Sequence, residues 1–97
     1  MGKYVYIYTG GGMPESEEEG KRLMEAWGAF LGGLSDSVVD GGNPFGSSKS
    51  AKGNGTAGAT GYTIINASSL DEAVQKTSGC PIFASGGDVE VYETVEM

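Results

Sequence analysis

An α+β fold, in which one antiparallel sheet carries both of its helices on a single face, is predicted by three observations. Residues 61–97 read as strand, helix, linker and strand. Residues 3–34 read as a strand followed by an amphipathic helix. A brief apolar segment, Val38 and Val39, then precedes a long connection rich in Gly, Ser and Asn. The order is therefore strand, helix, strand, connection, strand, helix, strand, the βαββαβ plan of ferredoxin-like domains. Right-handed crossovers interleave the two helix-linked strand pairs and place the first strand centrally.

The first strand alternates Val5 and Ile7 with Tyr4, Tyr6 and Tyr8, so both of its faces can be buried, as a mid-sheet strand requires. Gly10-Gly11-Gly12 ends it without the GxGxxG spacing, and Glu15, Glu17, Glu18 and Glu19 would repel a phosphate. Those carboxylates instead favour a helix N-terminus, where Pro14 suits the first turn and Ser16 with Glu19 forms a capping box. Leu23, Trp27, Phe30, Leu31 and Leu34 recur at three and four residues as a core-facing stripe, while Gly20, Gly28 and the Gly32-Gly33 pair weaken the helix and mark its end.

Ser37 to Asp40 is a short strand. Residues 41–59 are long enough to hold a further strand at Ser48 to Lys52, turning at Asn54-Gly55. Beyond them Gly61 to Asn66 is a strand with Tyr, Thr and two Ile. Ser69 and Glu72 form a second capping box, and Leu70, Ala73, Val74 and Thr77 keep helical spacing until Gly79 and Pro81 stop the helix. Period two returns after Gly86-Gly87, with Val89, Val91 and Val95 opposite Glu90, Tyr92, Thr94 and Glu96.

A chain of 97 residues is expected to form one domain over 1–97. Six basic residues against thirteen acidic ones leave a net charge of −7, which opposes nucleic acid and anionic membranes. Cys80 is the single cysteine, so no internal disulfide or cysteine metal cluster forms. No run approaches membrane length, and the aromatic N-terminus does not resemble a signal sequence, so a cytoplasmic address is expected.

Helices on one face leave the other face bare. If Val5 and Ile7 face the helices, Tyr4, Tyr6 and Tyr8 lie on that bare face together with Tyr92, an aromatic patch too large to leave in water on a small protein. A second copy, sheet against sheet, would cover it as a two-fold homodimer.

Several segments then coincide with a known pattern: Lys3-Tyr4-Val5, Val39-Asp40-Gly41-Gly42-Asn43-Pro44-Phe45, Gly61-Tyr62, Ser69-Leu70-Asp71-Glu72-Ala73, Gly79-Cys80-Pro81 and Gly87-Asp88-Val89-Glu90-Val91. In this order and spacing the chain resembles the YCII-related family, including its DGPF-type members. The resemblance implies a dimeric α/β barrel whose joined sheets enclose a cavity. Some members of that family are thought to use a His-Asp pair; this chain has no histidine, which excludes a histidine base or ligand.

Asp40 is the leading catalytic candidate. It ends a strand and opens the Gly-Gly-Asn-Pro-Phe loop, where a carboxylate shielded by an aromatic would accept a proton; holding the turn through backbone bonds is the alternative. Tyr6 and Tyr8 are candidate ligand contacts on a cavity wall, with interface packing as the alternative. Asn43, Phe45 and Lys49 stand on the long loop as a candidate lid, Trp27 reads as core, and Cys80 as a small buried residue. Ser47 and Ser48 have no histidine to activate them. Neither a metal-ligand set nor a cofactor motif is present, so the expected activity is cofactor-independent acid/base chemistry on, or binding of, a small hydrophobic molecule between the paired sheets. The other reading is a non-catalytic dimerisation module.

Overall fold

The computed structural model describes residues 2–11, 15–53 and 58–96. Its sheet has the order β2-β3-β1-β4, where β1 is Gly2–Thr9, β2 Val38–Asp40, β3 Ala59–Ala67 and β4 Asp88–Glu93, and each neighbouring pair is antiparallel. This is the predicted ferredoxin-like arrangement, with β1 in the middle. Helix α1, Glu17–Leu34, joins β1 to β2; α2, Leu70–Gln75, and the short α3, Pro81–Ala84, join β3 to β4.

Both predicted N-caps form. The Glu19 amide donates to Ser16 Oγ at 3.1 Å, and the Glu72 amide donates to Ser69 Oγ at 3.1 Å, satisfying amides that have no partner inside the helix. α1 ends at Leu34, one residue past the Gly32-Gly33 pair, and closes at Ser35 with φ 48°. α2 ends at Gln75, short of Thr77 and of the expected stop at Gly79 and Pro81, and Pro81 instead opens α3 at its first turn, a position where a missing N–H costs nothing. Ser48 to Lys52 forms no strand, because residues 45–50 have no regular structure and Ser48 to Lys52 are all exposed. Pro14 and the Asn54-Gly55 turn lie outside the described residues.

The faces of β1 are the reverse of the expected ones. Tyr4, Tyr6 and Tyr8 are buried on the helix side, and Val5 and Ile7 are half-buried on the open side. Alternation separates the two sets without saying which goes inside; side-chain volume and hydroxyl partners decide it. Tyr8 lies opposite Gly61 and Tyr6 opposite Thr63 in the β1–β3 register, small partners that make room for rings. The Tyr6 hydroxyl donates to the Ala73 carbonyl at 2.5 Å and the Tyr8 hydroxyl to Thr63 Oγ1 at 2.8 Å, so the largest side chains are buried with their polar ends satisfied. Val89 and Val91 share this core face; Tyr92 lies opposite Val5 on the open face, as expected. No helix among the described residues is long and apolar enough to cross a membrane.

Burial pushes the Tyr8 hydroxyl up to about 12 from its ordinary 10.0, against the opposing pull of its bond to Thr63, and burial raises Tyr6 in the same direction. A pKa raised on folding gives stability that is complete below the unfolded value and lost as pH climbs through the folded one. The thermal midpoint should therefore fall between pH 10 and about 12, and Tyr8→Phe should make the fall shallower. A wild-type midpoint that stays level across this interval would contradict the burial argument.

Candidate functional site

The stripe on α1 splits into two rows. Phe30 and Leu34 are buried in the core, whereas Leu23, Trp27 and Leu31, spaced by four residues, line a cavity between α1 and the sheet. Its volume is ≈ 470 Å³, within the ordinary range for small-molecule pockets. Tyr8 from β1 and Gly61, Tyr62 and Thr63 from β3 contribute on the sheet side, Gly41 to Pro44 on the loop side, Ile82 from α3 at one end, and Met24 from α1. Trp27 meets Tyr8 edge to face at 4.9 Å between centroids and 76° between planes, making an aromatic corner.

The polar groups run in a short chain. Tyr8 donates to Thr63 Oγ1, which donates in turn to the Gly41 carbonyl at 3.0 Å. Thr60 Oγ1 donates to the Tyr8 carbonyl at 3.2 Å.

The Asp40-Gly41-Gly42-Asn43-Pro44-Phe45 segment is pinned to the start of β3. Asp40 Oδ1 accepts from the Gly42 amide at 2.9 Å and Oδ2 from the Tyr62 hydroxyl at 3.1 Å. Pro44 bridges Gly61, the Phe45 amide donates to the Thr60 carbonyl at 2.8 Å, and the Phe45 ring stacks on Tyr62 at 5.8 Å. Gly42 is indispensable here: its φ is +76°, and a Cβ on it would lie 1.7 Å from the Tyr62 carbonyl oxygen.

The candidate residues thus separate. Tyr8 and Asn43 line the cavity; Tyr6 is buried beside it, bonded to α2. Asp40 is exposed, bonded to its own loop and to Tyr62, and is not among the lining residues. Phe45 stacks on Tyr62, and Lys49 is exposed on the following segment. Trp27, Leu23, Leu31, Met24, Thr63 and Ile82 were not singled out as site residues. The four-residue row on α1 and a lone hydroxyl at Thr63 between Gly61 and Ile65 are the signals that point to them.

A second depression of ≈ 630 Å³, between α1 and α3, is larger but more open and is lined by Glu19 and Arg22 as well as apolar residues. Cys80, on its wall, is buried, and burial raises its thiol pKa, which keeps it protonated and inert. The first cavity is less open and mostly apolar.

Among solved structures the chain is similar to 5-chloro-2-hydroxyhydroquinone dehydrochlorinase, TftG, from Burkholderia phenoliruptrix AC1100, in complex with 2,5-dihydroxybenzoquinone. The two share a fold. The TM-score is 0.60 at 20% identity, over 100% of this chain and 96% of TftG. No family model matches the chain, and no curated protein matches it.

Proposed function

We propose that this protein binds a small aromatic molecule in the cavity between α1 and the sheet. The observation that carries the reading is the largely apolar corner of Trp27 and Tyr8, in a partly open cavity beside the Tyr8–Thr63 hydroxyl pair; the fold shared with TftG, a dehydrochlorinase solved with a small quinone, supports it. Binding is favoured over turnover because neither a carboxylate nor an amine lines this cavity. Asp40, the sequence's candidate base, serves here as a positioning residue that holds Gly42 and Tyr62 in place.

Trp27 is the only tryptophan in the chain and lines the cavity, so its emission reports occupancy directly. Titration with neutral bicyclic aromatics should change that emission saturably. Leu31→Phe, which adds bulk from the α1 wall, should weaken the effect about tenfold or more while the protein stays folded. An emission unaffected by every compound, or a Leu31→Phe protein that binds like the wild type, would defeat the reading.

The open sheet face favours a second, compatible role. Val5, Ile7, Tyr62, Ile64 and the half-exposed Tyr92 give it apolar character, and a second copy packed sheet to sheet would cover it as a homodimer of the dimeric α/β-barrel type, the assembly that the sequence's resemblance to YCII-related proteins implies.

A further inference from the structure

We infer that the α1–sheet cavity selects uncharged hydroxyarenes and rejects aromatic anions, including ionised hydroxyquinones of the kind solved with TftG. This rests on the cavity being the binding site proposed above. Of the residues that line it, none is Asp, Glu, Lys or Arg, and the chain has no histidine. Residues 12–14 and 54–57, outside the described set, carry no ionisable side chain either. A carboxylate or enolate seated against the apolar walls of this partly open space would lose part of its hydration and meet no counter-charge, a larger penalty than that for a neutral ring. The net charge of −7 adds long-range repulsion. The hydroxyls of 2,5-dihydroxybenzoquinone are vinylogous acids that ionise below neutral pH, so the ligand found with TftG is the wrong electrostatic type for this chain.

The hydroxyl pair sets the second requirement. The Tyr8 proton is committed to Thr63 Oγ1, and the Thr63 proton to the Gly41 carbonyl. The cavity side of the pair therefore has lone pairs to offer rather than protons, and Tyr8 oxygen is an acceptor for a donor on the ligand. A phenolic hydroxyl meets that need while remaining neutral. A bare arene leaves it unmet.

Calorimetric titration of the intact protein at neutral pH with naphthalene, 2-naphthol and 2-naphthoate separates these requirements. The expected result is 2-naphthol binding at least about tenfold more tightly than 2-naphthoate, and about fivefold more tightly than naphthalene. Tyr8→Phe should remove most of the naphthol advantage over naphthalene. Met24→Lys, on an exposed helical position at the cavity, should shift the ratio of naphthoate to naphthol binding about fivefold toward the anion without disturbing the core. Naphthoate binding as tightly as naphthol, or a Met24→Lys protein with an unchanged ratio, overturns the charge selection while leaving the site itself intact. If none of the three binds, the site and the selection fall together.

Discussion

Gly42→Ala should be among the most damaging single-atom additions this chain can receive, lowering stability by about 3 kcal/mol. Two costs combine. A φ of +76° disfavours any residue with a Cβ by about 1–2 kcal/mol. The new methyl would also lie 1.7 Å from the Tyr62 carbonyl oxygen and 2.6 Å from its carbon, so backbone must move, and overpacking of this kind costs roughly 1–3 kcal/mol. What moves is the β3 segment that forms one side of the cavity, together with the Asp40–Gly42 and Asp40–Tyr62 bonds that tie the loop to it.

The neighbouring Gly41→Ala is the internal control: nothing lies within 4 Å of its Cβ position and its φ is not positive, so it should change stability by no more than about 0.5 kcal/mol. Chemical denaturation of the two variants reads the difference. A Gly42→Ala midpoint equal to that of Gly41→Ala would show that the loop does not press on β3. A shift of about 3 kcal/mol is a large share of the roughly 5–15 kcal/mol that a small domain possesses, and it should weaken aromatic binding as well.

These adjacent glycines also show where sequence reading stops. Gly41-Gly42 announces a turn after β2, and period two, capping boxes and the apolar stripe announce the strands, α1, α2 and their order; each of these signals is local, so it can be read along the chain. Which glycine needs the left-handed conformation depends on where Tyr62 passes, twenty residues on. The same limit explains the inverted faces of β1. Both alternating sets are apolar, and the choice between them rests on Gly61 and Thr63 across the register and on Ala73 in α2. The cavity was hidden for a related reason. Leu23, Trp27 and Leu31 continue the core stripe in sequence, and only the placement of the sheet beneath Phe30 and Leu34 leaves their row at the edge of the core, where Trp27 and Leu31 pack against it and also line the cavity.

Tyr6→Ala should cost about 3–5 kcal/mol and act on the monomer, because the ring is wholly buried beneath α2. The hydroxyl has its own part in this. The Ala73 carbonyl would ordinarily receive the amide four residues on, but the Thr77 amide donates to Val74 at 3.1 Å, and Tyr6 takes its place at the end of this short helix. Tyr6→Phe keeps the ring and leaves that carbonyl without the hydroxyl, for an expected loss of about 1–3 kcal/mol. Tyr92→Lys provides the contrast. It lies on the edge strand, half-exposed on the open face, so monomer stability should change by about 0.5 kcal/mol or less, while a sheet-to-sheet dimer would acquire a buried charge and dissociate. Denaturation and sedimentation over a range of protein concentration distinguish the two faces. Loss of stability in the Tyr6 variants with mass unchanged at low denaturant, and loss of mass alone in Tyr92→Lys, would assign the tyrosines of β1 to the core and the Val5–Ile7 face to the partner. The opposite pattern would return Tyr6 to an interface and remove the physical basis for the cavity beside it.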